Sequence, residues 1–343
     1  MNLRNGLAAI AAAATMLAWG APAQAQQTLQ QVQNRGHLNC QVGLPTPGFY
    51  ALGADGNWSG LDVDICRAVA AAIFNDPGRV QFQSVTSAVR FTSLANGESD
   101  LLSRTTTWTA VRDTQLGLEF TGVNFFDGQG FLVPRASGIR SARELDGATI
   151  CVLTGTTTEL NLADYFRANN MTFTAVTNEN VNVLVETYLG GGCDAYTNDK
   201  SGLAARRSAF PTPGDHVILP ETISKEPLGP VVRHGDQNWG DIVRWVLIGM
   251  IEAEELGVTS ANLDQMLQSS SPAIRRLLGV EGNIGAGMGL PADFMVRVIR
   301  HIGNYGEAYE RNVGENTPVG IPRANSLNAL WTNGGLMYAM PFR

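Results

Sequence analysis

Apolar and polar residues follow two rhythms along this chain, and the rhythm switches many times. Residues 37–43 and 80–85 alternate with a period of two, as strands do when one face is covered. Between them Leu61, Ile65, Ala68, Val69, Ala72 and Ile73 recur at three- and four-residue spacing, which predicts a helix with one buried face. Asp62 is placed to cap it, and Asp76-Pro77-Gly78 ends it. A short helix over 28–36 comes first. Residues 44–50 carry two prolines and a glycine, so they read as a rigid loop bearing Phe49 and Tyr50. A short helix from Phe91, a strand at 100–102 and another over 120–126 complete a β-α-β-α-β series, the pattern of a parallel sheet.

Residues 128–134 read as a crossing segment, after which the same rhythm restarts. Strands are predicted at 148–153, 171–176, 193–196 and 216–219, with helices over 155–169, 181–189 and 200–208. Residues 229–233 read as the return crossing. Three further helices are expected, over 239–256, from Pro272, and as one long element over 291–312. The stripe Phe294, Met295, Val298, Ile299, Ile302 and Tyr305 reads as core rather than a cofactor box. The chain therefore divides into 1–25, a first lobe over 26–131, a second over 135–229, and a return with a helical extension over 230–343.

Residues 1–25 read as an export leader. Arg4 supplies the positive start, 7–19 is apolar but too short to span a bilayer, and Ala23-Gln24-Ala25 fits the cleavage rule. Cleavage after Ala25 would leave Gln26 first. Lys and Arg total 24 against 31 Asp and Glu, a net charge of −7, which becomes −8 when Arg4 leaves. A mildly acidic chain has no general attraction for nucleic acid, and a small ligand held by local charges suits it better. Export makes disulfides plausible, and Cys40, Cys66, Cys151 and Cys193 allow three pairings, of which Cys40–Cys66 with Cys151–Cys193 gives one bridge per half. No Cys-x-x-Cys is present and His37, His216, His234 and His301 are scattered, so neither metal nor cofactor is expected.

The candidate chemistry lies at strand ends. Ser103-Arg104-Thr105-Thr106-Thr107-Trp108-Thr109-Ala110-Val111-Arg112 follows a strand, where ligands bind in open α/β sheets. Hydroxyls with a guanidinium fork suit a carboxylate; the plain alternative is a Thr-rich edge strand with a surface arginine. Gly155-Thr156-Thr157-Thr158 opens a helix whose free amides favour an anion, unless it is only a hydroxyl cap. Asp199 suits an ammonium, unless it is a solvated neighbour of Lys200.

Taken in order, the leader, Gly60-Leu61-Asp62-Val63-Asp64, Thr109-x-x-Arg112, Gly155-Thr156-Thr157-Thr158-Glu159 and the 194–199 segment resemble the periplasmic solute-binding proteins of polar amino-acid ABC transporters. The Cys40/Cys66 placement, the Ser103–Thr109 motif and the helical tail are similar to the broad-specificity general L-amino-acid-binding branch. The resemblance implies an α/β, two-lobe type II clamshell with two hinge crossings, near 130–134 and 229–233, and the extension packed on lobe one. It implies an exported, periplasmic monomer that binds L-amino acids, polar, acidic or amide ones favoured, and passes them to a membrane permease. Arg112 would hold the α-carboxylate bidentately, helped by Thr105 and Thr107 through amide and hydroxyl; Thr157 would donate an amide and Asp199 would take the ammonium. Where many relatives stack an aromatic on the ligand this chain has Ser87, so Phe49, Tyr50 or Trp108 is the substitute. Arg90 is expected on the surface, and Arg104 either there or in the side-chain pocket.

The rival is a prephenate- or arogenate-type dehydratase on the same fold, which needs an acid or base such as Asp199 or Glu159. A sensor input module is less favoured for want of a membrane span or signalling domain. A Ser-His-Asp hydrolase is disfavoured because no Gly-x-Ser-x-Gly elbow is present.

Overall fold

The computed structural model describes residues 27–343; the expected leader lies outside them. The first part contains α1 (Gln27–Arg35), β1 (Leu38–Val42), the hairpin β2 (Ala51–Leu52) and β3 (Trp58–Ser59), α2 (Leu61–Phe74), β4 (Val80–Ser84), α3 (Arg90–Ala95), β5 (Leu101–Leu102), α4 (Ala110–Gln115) and β6 (Leu118–Phe120). A connecting strand β7 (Phe125–Asp127) leads to β8 (Gln129–Pro134), β9 (Ala148–Leu153), α5 (Thr157–Ala168), β10 (Phe173–Asn178), α6 (Val181–Leu189), β11 (Ala195–Asp199), α7 (Lys200–Ser208) and β12 (His216–Ile218). The chain returns through β13 (Glu226–Leu228) to β14 (Val231–Arg233), then α8 (Gln237–Glu255), α9 (Leu263–Met266), α10 (Pro272–Leu277), α11 (Phe294–His301) and α12 (Tyr305–Asn312).

Two five-stranded sheets result, ordered β4-β1-β5-β14-β6 and β10-β9-β11-β8-β12, one per lobe. In each, the parallel strands carry their loops to the same end. Between the sheets, β7 and β13 pair antiparallel with Glu226 opposite Asp127. This ribbon is the connection, and it corrects the expected crossings at 130–134 and 229–233. Residues 129–134 are a full strand of the second sheet, hydrogen-bonded to β11 and β12. Phe131, Leu132 and Val133 are all fully buried, Phe131 and Val133 in one apolar cluster and Leu132 in the other. A strand covered on both faces reads as an unbroken apolar run, which carries no period.

The large core joins α2, α8, α11 and α12, so the helical extension does pack on lobe one. Three further expectations change. The strand expected over 120–126 is broken into β6 and β7. The single helix expected over 291–312 is two, separated at Gly303, whose φ of 91° no ordinary residue adopts easily, and α12 restarts with an Asn304/Glu307 capping box. Asp62 does not cap α2. Gly60 occupies the cap position, at a φ of 135°, and the position needs glycine because a Cβ there would lie 2.2 Å from the carbonyl of Phe49. Both expected cysteine pairs are formed, Cys40–Cys66 with Cα atoms 6.3 Å apart and Cys151–Cys193 at 5.7 Å.

Candidate functional site

The loops after β1 and β5 face the N-terminus of α5 and the end of β11 across a cleft. Its wall includes Phe49, Tyr50, Arg90, Arg104, Thr105, Thr107, Thr157 and Asp199. The lobes are in contact around it. Arg206 of α7 donates to the carbonyl of Pro45 at 2.9 Å and to Thr46 Oγ1 at 2.5 Å, and Thr107 Oγ1 lies 3.3 Å from Thr157 Oγ1.

The loop between β5 and α4 is held in shape by Asp62, from the first turn of α2. Its carboxylate accepts from Thr105 N at 2.7 Å, Asn124 Nδ2 at 2.9 Å and Ser103 Oγ at 3.2 Å. Thr105 sits at a φ of 43°, a left-handed conformation costly for a β-branched residue, and the Asp62 bond holds it there. Burial pushes the Asp62 carboxyl above the usual carboxylate range, and these hydrogen bonds pull it back. The amide of Thr105 is therefore committed to Asp62, which corrects the expectation that it would help hold a ligand carboxylate; its hydroxyl meets Tyr50 OH at 3.1 Å.

Arg112 is buried, but its position departs from that of a bidentate anchor. Thr109 caps α4 by accepting from Arg112 N, and Arg112 Nη1 donates to the carbonyl of Thr107 at 2.9 Å while the guanidinium lies 5.0 Å from the Phe91 ring centre. One nitrogen of the fork thus braces the loop; Arg112 is not among the cleft-lining residues, although Glu226, Asp199 and Arg104 lie close enough to act on its charge. Burial brings it down to about 10, and Glu226 is the strongest charge opposing that fall.

The cations that do line the cleft are Arg90 and Arg104, only 4% and 6% exposed. Arg90 is not on the surface: it starts α3 beneath the loop, 4.5 Å from the Phe91 ring centre. Arg104 Nη1 donates to Ser87 Oγ at 3.2 Å, and the Nε of each arginine has no partner. Among the described residues, neither they nor Arg112 reach a carboxylate within ion-pair distance. Burial, then the nearby Arg104 and Arg112, hold Arg90 well below its ordinary value.

Asp199 ends β11 and lines the cleft with its carboxylate unused by the helix it precedes. Burial, then Asp127 and Glu226, push it well above the carboxylate range, against Arg112 and Arg90. Thr157 lines the cleft at the start of α5, where Thr156 caps the helix by accepting from Glu159 N. Phe49 and Tyr50 form the aromatic wall. Trp108 does not: it is 38% exposed and stacks on Phe120, on the far side of the loop, with ring centres 5.6 Å apart. A side chain one step along an extended loop points the opposite way from Thr107, and the sequence does not say which way is inward.

One central residue escaped the sequence reading. Glu226, 1% exposed on β13, accepts from Thr107 Oγ1 at 2.6 Å, Thr157 Oγ1 at 2.9 Å, Asn161 Nδ2 at 2.7 Å and Ser224 Oγ at 2.6 Å. It is one acid between Lys225 and Pro227, in a segment without periodicity. Only the pairing of β13 with β7, together with the bond from Trp108 N to the Pro227 carbonyl at 2.8 Å, brings it under the cleft.

A family model for bacterial extracellular solute-binding proteins, family 3, matches residues 39–261. The glutamate/glutamine/aspartate/asparagine-binding protein BztA of Rhodobacter capsulatus is 54% identical over 324 residues, 94% of this chain and 95% of that protein. The general L-amino acid-binding periplasmic protein AapJ of Rhizobium johnstonii is 49% identical over 343 residues, 99% of this chain and 100% of that protein. A solved ABC-transporter periplasmic binding protein from Brucella ovis, with glutathione bound, superposes with a TM-score of 0.90 at 51% identity, covering 92% of this chain and 99% of that one. These matches span both sheets and the helical extension, and the chain belongs to the bacterial extracellular solute-binding proteins, family 3.

Proposed function

We propose that this chain binds L-amino acids in the periplasm, acidic and amide ones best, and hands them to the membrane permease of an ABC transporter. It works as a monomer beginning at Gln26 after loss of its leader. The observation that carries the reading is the pair Arg90 and Arg104, two buried guanidiniums without carboxylate partners, lining the same cleft as Asp199. Two positive groups and one negative group are the complement of glutamate or aspartate, which carries two carboxylates and one ammonium. A guanidinium takes a carboxylate by charge-assisted hydrogen bonds, and exclusion of water strengthens each of them. Arg90 and Arg104 take the carboxylates, Asp199 the ammonium, the amide at the start of α5 adds a donor, and Phe49 and Tyr50 cover the apolar part. The lobes open and close about the β7–β13 ribbon.

The names of the close relatives are those of binding proteins, not enzymes. Glu226 could not serve the dehydratase rival as a base, since every acceptor position of its carboxylate is filled, which leaves Asp199 as the acid that rival would have to use. The test is calorimetric titration of purified protein, freed of endogenous ligand by unfolding and refolding. L-Glutamate should bind at least about tenfold more tightly than L-lysine, the difference of one favourable charge contact. Equal affinities, or tighter binding of lysine, would remove the assignment of Arg90 and Arg104.

A further inference from the structure

We propose that Asn328, from the tail of the helical extension, is a positioning residue of the hinge. It clamps the β7–β13 ribbon to lobe one, confines bending to the lobe-two end of that ribbon, and so slows release of the bound amino acid. The proposal rests on the amino-acid-binding reading and goes beyond it, because it gives the extension a part in binding although none of its residues lines the cleft.

A two-stranded ribbon is marginal by itself, since both of its outer edges leave backbone groups unpaired. Here both edges are taken, and both from lobe one. Along β13, Trp108 N donates to the Pro227 carbonyl at 2.8 Å, and just past the strand Gly229 N donates to the Thr106 carbonyl at 3.0 Å. Along β7, Phe126 stands opposite Pro227, which has no N–H to offer, so the backbone groups of Phe126 turn outward. There Phe126 N donates to Asn328 Oδ1 at 2.7 Å, and Asn328 Nδ2 donates to the Phe126 carbonyl at 2.9 Å. A side-chain amide carries both acceptor and donors, so this one residue completes the edge as a third strand would. Asn328 is 4% exposed and is itself held: its carbonyl accepts from Arg323 Nε at 2.8 Å and its N–H donates to Ser326 Oγ at 3.1 Å. Arg323 pairs in turn with Glu254 of α8. From α12, Tyr305 OH donates to the Asn124 carbonyl at 2.7 Å and the Tyr309 ring stacks on Phe125 with centres 5.9 Å apart.

The other end of the ribbon meets lobe two through its side chains. Ser201 N donates to the Asp127 carboxylate at 3.1 Å, and Asn161 Nδ2 to that of Glu226 at 2.7 Å. Such contacts can part without breaking the backbone pairing of the ribbon, which places the rotation at Asp127-Gly128 and Ser224-Lys225. With the lobes together these contacts pin the ribbon from lobe two as well; with the lobes apart the brace alone holds it. Loss of the Asn328 amide therefore adds freedom mainly to the open state, the state that releases ligand.

The test uses the full mature chain and two variants, Asn328→Leu, which keeps the volume without the hydrogen bonds, and Leu277→Ala, which opens a hole in the same extension away from the ribbon. Amide exchange at Phe126 is followed by NMR, and L-glutamate association and dissociation by stopped-flow tryptophan fluorescence. In Asn328→Leu the Phe126 amide should exchange about tenfold faster, the loss of one to two hydrogen bonds, with the amides of β1 unchanged. Glutamate should leave about fivefold faster or more, the freedom of about one residue, and arrive within about twofold of the wild-type rate. Leu277→Ala should melt lower and release glutamate within about twofold of wild type. Unchanged exchange at Phe126 overturns the proposal. So does a lower melt without faster release, which is all that a merely structural role would give, and so does equally fast release from Leu277→Ala. If Asn328→Leu does not fold, Asn328→Asp decides by the same readings, since it keeps the acceptor for Phe126 N and loses the donor to its carbonyl. A wild type that binds no amino acid removes the functional reading, and exchange at Phe126 alone then decides the brace.

Discussion

Replacing Arg90 by methionine should make the empty protein more stable and the loaded protein less so. Arg90 is buried, its Nε is unpaired, and Arg104 and Arg112 are its nearest repulsive charges. A base held below its ordinary value is one whose charge the fold disfavours, so at neutral pH, where arginine is charged in both states, it costs folding free energy. Exchanging a buried ion for an apolar side chain of similar size ranges from neutral to about 4 kcal/mol stabilising. The lost contact with the Phe91 ring, 4.5 Å from the guanidinium carbon, returns about 0.5–2 kcal/mol of that. The net expectation is about 0–3 kcal/mol of added stability, or a rise of a few degrees at about 2 °C per kcal/mol for a chain this long. In the complex the same change removes a partner of a ligand carboxylate, about 2–5 kcal/mol, or roughly 30-fold to several thousand-fold in affinity. Ligand at about 100 times the wild-type Kd raises wild-type stability by about 2.7 kcal/mol, and at the same concentration this increment should fall to about 0.9 kcal/mol or less in the variant. Melting curves with and without L-glutamate, with titration calorimetry, measure both halves. A variant that melts lower when empty and still binds glutamate normally would show that Arg90 is a structural residue and refute the reasoning.

Two further outcomes follow from the lobe connection and from lobe two. Burial pushes Asp127, opposite Glu226 on the ribbon, up to about 6. The folded state thus holds the proton more tightly than the unfolded chain, and stability is lost as pH rises from about 4 to about 6, by up to about 3 kcal/mol before allowance for solvent contact. The melting difference between Asp127→Asn and wild type should grow across that window and level off above it, whereas a difference independent of pH would exclude Asp127 as the cause. The Cys151–Cys193 bridge joins residues 42 apart in sequence, for which loop entropy suggests about 4 kcal/mol. Cys151→Ser/Cys193→Ser should melt well below wild type, and an unchanged melt would deny the bridge a stabilising role.

What the sequence made legible, and what it hid, divides along physical lines. Elements with one covered face announced themselves: β4 and α11 carry the periods their burial demands. β8 and β9 are both covered on two faces and carry no period; β9 still reads as a strand, while β8 reads as a crossing segment. Among site residues, Asp199, Thr107, Thr157 and Phe49 do line the cleft, since strand ends and helix starts are local features. Trp108 fell on the outer side because a loop's inward face is set by what it packs on, here Phe120. Arg90 was misjudged and Glu226 overlooked for one shared reason. A charged residue reads as surface unless a partner is visible, and their surroundings come from segments more than a hundred residues apart in the case of Glu226 and Thr107.

The same division explains why ligand class, rather than fold, is where charge counting matters. If the charge on Arg112 is balanced by Glu226 beneath the loop, two guanidiniums and one carboxylate remain to face the ligand. A neutral amino acid would then leave one buried guanidinium without a counter-charge. A basic one would place a second cation beside it. Glutamine lies between, because its amide oxygen accepts from a guanidinium but brings no charge, a difference of about 1–2 kcal/mol between neutral and charge-assisted bonds. Side-chain selectivity on this reading is set by unpaired charge in the empty cleft more than by pocket shape, so it should follow the arginines. Removing Arg90 or Arg104 should narrow the gap between glutamate and glutamine, while enlarging the cleft at Ser87 or Leu153 should leave that gap almost unchanged.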